Sequence, residues 1–370
     1  MGILRSEDRT KAELHEFRRM LMASAGAHRR KNQHDHRFNA AVDETDEGER
    51  GGLVCVTSGL SFLGIAIVNR LLIRGYSVRI IVDNPEDLAK IEEMESNYNS
   101  GNNNSNNISA IMANLTDEEN LLSEAFKDCR GVFHTSAFID PAGLSGYTKY
   151  MADIEAKASE NVIKACARTP SVKKFVFTSS LLTCLWRDRS TQQENSPVIN
   201  HDSWSSESLC RDKKLWYALG KLRAEKATWK IAEQSGLKMA SICPGLITGP
   251  EFNNINATAT TAYLKGAQEM YENGVLASVD VNRLAEAQVC VYEAMRKGRG
   301  GRYICFDEVI KEEEMAEKLA KEINVSKSKI CGTEDRSTNA LPRFQLSKKK
   351  LTNLMNTQQR PCYTQSQEQL

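Results

Sequence analysis

The chain lacks any apolar run long enough to cross a bilayer: its longest, Phe62 to Val68, falls far short of the roughly 18 residues that a membrane helix needs. It also lacks an apolar signal-peptide region at its start, so a cytoplasmic protein is expected. Neither charge sign is in excess, since 49 Lys+Arg stand against 48 Asp+Glu for a net +1. The basic field that nucleic-acid binding requires is therefore missing, and no nucleic-acid partner is expected. The ten cysteines contain no Cys-x-x-Cys pair, and several sit inside apolar runs such as VCVTS and VCVYEAM. That is the usage of reduced, buried thiols. His34-Asp35-His36, with His28 nearby, has ligand-type side chains but no fixed scaffold and no cysteine, so it reads as a solvated linker and no metal site is expected. What remains, 41% apolar and 26% charged residues over 370 positions, suffices for one large or two modest domains.

Four regions follow from the patterning. Residues 1–50 carry a helical patch (Leu14, Phe17, Met20, Leu21) and then a polar linker, a flexible extension whose helix offers a docking point for a protein partner. The opening Met1-Gly2 with Ser6 satisfies the N-myristoylation pattern, although Glu7 and Asp8 supply no basic second signal. Residues 51–250 alternate strand and helix: LVCVTS, a helix from Ser61 to Arg74, YSVRIIVDN, ISAIMANL, a helix from Asp117 to Phe126, GVFHTSA, a helix from about Gly146 to Ala167, KKFVFTSS, the helix KLWYALGKLRAEKATWKIAEQSG and the strand LKMASICPGLITGP. This alternation predicts an α/β, Rossmann-type, doubly wound parallel sheet. NYNSGNNNSNN interrupts it as a polar low-complexity insertion. Residues 251–340 form a smaller C-terminal substrate lobe, and 341–370 one fraying helix and a polar tail.

Two constellations carry chemistry. Thr57-Ser58-Gly59-Leu60-Ser61-Phe62-Leu63-Gly64 lies between a strand and a helix, and Asp83 ends the next strand nineteen residues beyond Gly64. A helix N-terminus offers free N–H groups and a positive dipole end to a pyrophosphate, and the carboxylate reaches an adenosine ribose. Ser58 and Ser61 depart from a fully glycine-rich loop, each placing a Cβ where backbone approaches phosphate. On that loop alone, an ordinary strand-turn-helix fits as well as a dinucleotide site. Downstream, Tyr217 and Lys221 are four apart on one helix face, which brings ammonium towards phenol and lowers the phenol's proton affinity. Ser179 and Ser180 close a strand, where ligands of open α/β sheets bind. Ser180 can donate to a substrate oxygen as negative charge develops on it. His134 follows a strand and reads as a structural, hydrogen-bonded histidine.

VTSGLSFLG, MANLTD, GVFHTSA, ENVIKACARTPSVKKFVFTSS, HDSWSSESLC, KLWYALGKLRAE and CPGLITGPE, in that order over roughly residues 53–310, resemble the extended short-chain dehydrogenase/reductases, in the branch of cinnamoyl-CoA and dihydroflavonol reductases. The segment HDSWS and Trp216-Tyr217 are most similar to plant cinnamoyl-CoA reductase-like proteins. The resemblance implies NAD(P)H-dependent reduction of a hydroxycinnamoyl-CoA thioester, with Ser180, Tyr217 and Lys221 as catalytic residues. It places Asn114-Leu115 beside the adenine, and Thr135, Ser136, Ala137 and Pro244, Gly245, Leu246, Ile247 on the nicotinamide side. For the substrate it implies Trp216 near the site, and Lys265 and Arg302 on the CoA portion, although the histidine that accompanies this lysine in the family is missing from Ala262-Tyr263-Leu264-Lys265. The family resemblance favours NADP, whereas Asp83, standing where the family usually has an arginine, repels a 2′-phosphate and favours NAD. The alternatives are a dihydroflavonol-type ketone reductase and a weakly active nucleotide-binding regulatory protein.

Overall fold

The structure, a computed structural model, describes residues 51–89, 91, 108–116, 119–135, 147–187, 198–249, 262–332 and 344–359. The expected N-terminal helix and linker, the Asn-rich insertion, Ser136 and Ala137 lie outside these residues.

β1 (Leu53–Val56) leads through the Thr57–Ser61 turn into α1 (Phe62–Ile73), and β2 (Ser77–Val82) follows. Ser61 caps α1, its Oγ accepting the Gly64 N–H at 3.1 Å. This side chain satisfies one of the amides that a helix start leaves without an intrahelical partner. Phe62 through Val68 are all buried, which accounts for a helix apolar on nearly every face: it lies between the sheet and α8, introduced below. Ile67 is fully buried, and its truncation to alanine costs about 2–5 kcal/mol through lost burial and a residual cavity.

The chain continues through β3 (Ile108–Met112), α2 (Glu119–Ala125), β4 (Gly131–His134), α3 (Lys149–Arg168), β5 (Lys174–Thr178), α4 (Leu182–Leu185), β6 (Val198–Ile199), α5 (Glu207–Asp212), α6 (Trp216–Ser235), β7 (Lys238–Pro244) and β8 (Leu246–Thr248). It ends with α7 (Ala267–Glu272), β9 (Ala277–Asp280), α8 (Val281–Ala294), β10 (Gly301–Cys305), β11 (Glu308–Val309), α9 (Glu313–Glu322), α10 (Ser328–Cys331), β12 (Gln345–Leu346) and α11 (Lys349–Gln359). Seven strands form one parallel sheet in the order β10-β7-β5-β4-β1-β2-β3. Along β1, Val54 and Val56 join one core cluster while Cys55 joins the other, so both faces are covered by helices. That explains why these strands read as near-continuous apolar runs. The order reverses between β1 and β4, the crevice at which ligands of such sheets bind. Among the described residues no helix is long and apolar enough to cross a membrane.

Two boundaries differ from expectation. β10 pairs with β7, so residues 301–305 of the segment expected as a C-terminal lobe join the main sheet. A smaller sheet, β11-β9-β8, accompanies it, and the segment expected as one strand to residue 250 divides into β7 and β8 at Gly245. Near the C-terminus the expected helix is α11; β12 pairs with β6, and Leu351 and Leu354 of α11 are each only 4% exposed in the core. Their helical spacing of three places both on the face that packs against α8 and β10. All nine described cysteines are free and eight are buried.

Candidate active site

The site assembles where the C-terminal ends of β1, β4, β5 and β7 meet the start of α1 and the first turns of α6. In the β1–α1 turn, Ser61 N–H bonds the Ser58 carbonyl at 3.0 Å, and Ser61 Oγ donates to the same oxygen at 2.7 Å. A Cβ on Gly64 would stand 1.9 Å from that carbonyl, so only glycine lets α1 approach the turn this closely. Thr57, Gly59, Phe62, Leu63 and Gly64 are buried, while Ser58 and Ser61 keep partial exposure at the helix mouth. Asp83, at the end of β2, faces solvent and accepts from Asn84 Nδ2 at 3.2 Å. Asn114 is also exposed, its Oδ1 accepting from Thr116 N–H and Oγ1 at 3.0 and 2.8 Å; Leu115 is half-buried. Pro244, Gly245 and Leu246 are buried and Ile247 half-buried beyond the end of β7.

His134 behaves as the structural histidine its context implies. Its Nδ1 lies 3.0 Å from Thr57 Oγ1 and its Nε2 3.1 Å from Ser159 Oγ, so it ties β4 to both the β1–α1 turn and α3. Burial, reinforced by the Lys221 charge, pushes its pKa down to about 3, and the ring stays neutral near pH 7. Thr135 N–H also bonds Thr57 Oγ1, at 3.3 Å.

Ser180 closes β5. It is buried, and its Oγ accepts the Leu182 N–H at 3.2 Å, which fixes the hydroxyl at the start of α4. The O–H is then the donor that Ser180 can present to a substrate oxygen. Ser179, its neighbour, is turned the other way and donates to Glu225 at 2.7 Å. At its far end α4 leads to Leu185 and Trp186, which line a cleft of about 380 Å³ together with Leu209, Lys213, Glu269 and Met270.

Tyr217 and Lys221 lie four apart on α6, and a carboxylate of α3 shares their surroundings. Lys221, 2% exposed, places its Nζ 2.8 Å from Oε1 of Glu155 on α3 and 5.9 Å from the Phe177 ring centroid. The other carboxylate oxygen of Glu155 accepts from the Tyr147 hydroxyl at 3.4 Å. Tyr147 in turn packs edge-on against Tyr217, with ring centroids 5.1 Å apart. Burial, and then the Glu155 charge, push the Tyr217 phenol well above its ordinary pKa. Gly220 makes the arrangement sterically feasible: a Cβ there would lie 2.9 Å from Ala152 Cα and 3.0 Å from the Tyr147 hydroxyl. Trp216 packs half-buried against Tyr147, Met151 and Ala152, beside Tyr217 as expected.

Arg302 requires correction as a CoA-binding residue. It is 6% exposed, and its Nε meets Glu225 Oε1 at 2.8 Å while Nη2 bonds Thr183 Oγ1 at 2.6 Å. Further donors go to the carbonyls of Ser203 and His201, and the guanidinium stacks 3.7 Å over the Trp204 ring. Burial on its own would raise the Glu225 pKa, but Arg302 and the Ser179 and Ser241 hydroxyls hold it below the usual carboxylate range. The pair clamps α6 to β10 and α4 and has no face left for a substrate phosphate. Lys265, by contrast, lies at the surface and donates to the Lys214 carbonyl at 2.6 Å, just before α6.

Glu155 and Glu225 went unnoticed in the sequence reading. A signal existed for Glu155: Met151, Ala152, Glu155, Ala158, Ser159 and Val162 occupy the buried stripe of α3, and a carboxylate on such a stripe demands a buried partner.

Residues 55–335 match the 3-beta hydroxysteroid dehydrogenase/isomerase family. Cinnamoyl-CoA reductase 1 of Petunia hybrida is 33% identical over 278 residues, covering 73% of this chain and 77% of that protein. Tetraketide alpha-pyrone reductase 1 of Arabidopsis thaliana is 32% identical over 279 residues (73% and 80%), and dihydroflavonol 4-reductase of Callistephus chinensis 32% over 262 (68% of each). Among solved structures, vestitone reductase from alfalfa superposes with a TM-score of 0.57 at 23% identity, covering 82% of this chain and 92% of that one. The yeast methylglyoxal/isovaleraldehyde reductase complexed with NADPH gives 0.60 at 18%, with 82% and 93% covered; both likenesses speak to fold alone. The chain therefore belongs to the 3-beta hydroxysteroid dehydrogenase/isomerase family of NAD(P)-dependent reductases, in the extended short-chain branch that it shares with cinnamoyl-CoA and dihydroflavonol reductases.

Proposed function

We propose that this protein reduces an aryl-conjugated carbonyl, foremost a hydroxycinnamoyl-CoA-type thioester, with Ser180, Tyr217 and Lys221 as its working residues. What supports the reading most is the placement of Ser180 just beyond β5 and of Tyr217 in the first turn of α6, with α4 and α6 packed together beside a sheet whose strand order reverses at β1 and β4. The residues fit a dinucleotide: the α1 N-terminus lies at the strand-order reversal, Gly64 permits the close turn, and Asp83 is solvent-facing at the end of β2. NADH or NADPH would supply the hydride. The Thr57–Gly64 turn would hold its pyrophosphate, Asp83 its adenosine ribose, and Lys221 its second ribose.

Ser180 and Tyr217 would both donate to the substrate's carbonyl oxygen, and Tyr217 would release its proton there as negative charge develops. With a thioester, the resulting hemithioacetal would collapse to aldehyde and free CoA. A second reading, reduction of a dihydroflavonol-type ketone, is favoured by the burial of Arg302 against Glu225, which leaves Lys265 without the arginine a CoA tail would use.

The test is fluorescence titration with NADH and NADPH, followed by single-turnover oxidation with feruloyl-CoA and with a dihydroflavonol. Nucleotide oxidation with release of free CoA establishes the thioester reading, and oxidation by the ketone alone selects the second. Binding of neither nucleotide overturns both and leaves a regulatory role for the fold. Tyr217→Phe should keep nucleotide affinity and lower turnover by about a hundred- to ten-thousand-fold.

A further inference from the structure

Tyr263 carries a phenol that nothing in the proposed reaction uses. The residue is 4% exposed, and its hydroxyl has no hydrogen-bond partner among the described residues. Leaving a buried hydroxyl unpaired costs stability, so such groups in native folds generally answer to something outside the fold, a ligand or an ordered water. Its surroundings place Tyr263 at the reacting centre. Ala262, the preceding residue, packs against Tyr147, Met151 and Ala152, the same patch that receives Trp216 and Tyr217. Two residues on, Lys265 donates to the Lys214 carbonyl at 2.6 Å, and a Cβ on Gly266 would stand 2.8 Å from the Trp186 ring and 3.6 Å from Leu215. Residues 262–266 therefore run along the start of α6, from the Tyr217 side to the end of α4. Tyr263 is no more enclosed there than Ser180 and Lys221, each 2% exposed. We propose that Tyr263 is a specificity-determining residue, its O–H donating to an oxygen substituent on the aromatic ring of the substrate.

The proposal rests on the reading of this chain as a reductase of aryl-conjugated carbonyls. In that reading the carbonyl oxygen accepts from Ser180 and Tyr217, and both of its lone pairs are then taken. A third donor at the same centre is left for a different oxygen. Tyr263 shares the main core cluster with Trp186, Leu215 and Leu246, surroundings that take an aromatic ring and refuse the phosphates of a CoA tail. Burial keeps its phenol well above the ordinary pKa, so the O–H proton is in place near pH 7. The neighbouring Leu246 amide is itself a donor and can meet only a lone pair of the phenol oxygen, which leaves that proton unused. A ring bearing the oxygen gains a hydrogen bond without breaking an internal one, whereas a ring lacking it leaves the phenol as unpaired as before.

The experiment compares wild type with Tyr263→Phe, which removes the hydroxyl and keeps the ring. With oxidised nucleotide present, so that no hydride moves, binding of 4-hydroxycinnamaldehyde and of cinnamaldehyde is measured by equilibrium dialysis; the two differ by one ring hydroxyl and neither carries CoA. Wild type should bind the hydroxylated aldehyde about tenfold more tightly, and Tyr263→Phe should lose that preference while binding cinnamaldehyde as before. In the free protein the urea midpoint of Tyr263→Phe should equal or exceed that of wild type, because no internal hydrogen bond is lost. A lower midpoint, or failure of the variant to fold, would reveal an internal partner for the hydroxyl and overturns the proposal. So does a preference that survives in Tyr263→Phe, or a wild type that binds neither aldehyde or both alike. Nucleotide oxidation by feruloyl-CoA alongside any of those results keeps the reductase reading and discards Tyr263. A preference that depends on Tyr263, in a protein that reduces neither thioester nor ketone, keeps the ring-oxygen assignment and discards the reductase reading, so the two failures are distinguishable.

Discussion

The Lys221 ammonium lies 2.8 Å from the Glu155 carboxylate, and the two side chains are 2% and 0% exposed. An ion pair so far from water interacts strongly but bears a large desolvation penalty, so it is weak evidence for stability and stronger evidence for a fixed arrangement. Here the arrangement links Lys221, Glu155 and Tyr147 to Tyr217. Lys221 therefore has a buried carboxylate partner that the four-residue spacing of tyrosine and lysine does not imply.

Ser61→Gly should tighten nucleotide binding several-fold. The Ser61 hydroxyl accepts the Gly64 amide at 3.1 Å and so occupies part of the helix start that a pyrophosphate would use. The cost to stability is a few tenths of a kcal/mol, because glycine is itself a tolerable N-cap. Fluorescence titration of the variant checks this, and unchanged affinity would show that the cap does not compete.

Asp83→Arg should move nucleotide preference from NADH towards NADPH by at least about tenfold, or 1.4 kcal/mol. Asp83 is solvent-facing at the end of β2, where its charge opposes a 2′-phosphate. Parallel titrations of wild type and variant decide it; a wild type that already binds NADPH far better refutes the electrostatic argument.

Arg302→Leu should destabilise the fold by about 3–5 kcal/mol, since it leaves the Glu225 carboxylate buried and unpaired. Urea unfolding measures this directly. Because Arg302 faces inward, CoA affinity measured well below the unfolding midpoint should not change. A selective loss of CoA binding in a stable protein would restore the role that the sequence alone gives this residue.

His134 should make the protein acid-sensitive. Its folded pKa, about 3, lies below the ordinary histidine value of 6.5, so the unfolded chain binds a proton that the folded one refuses. This contribution is fully present above pH 6.5 and declines as pH falls towards 3, by about 1.4 kcal/mol per unit. Urea midpoints at pH 7 and pH 5 should differ more in wild type than in His134→Asn. Equal differences would mean that other groups govern acid stability.

The amino-acid sequence by itself determined the alternation of strands and helices, the capped turn at Ser61, and the pairing of Tyr217 with Lys221 on one helix face, because each depends on residues within one or two turns of each other. The apolar first half of α1 and the two-sided strands likewise follow from local pattern, since a surface apolar on nearly every side must be buried. Tertiary structure alone decided what those residues face. Glu155 meets Lys221 only because Gly220 lets α3 and α6 close to backbone contact. Arg302 meets Glu225 only because β10 returns to the sheet beside β7, which turns a presumed ligand-binding arginine into a core clamp. Leu351 and Leu354 become core because α11 finds α8 and β10. Such contacts join residues tens of positions apart, and their energies come from desolvated charge and shared burial, which no local spacing records.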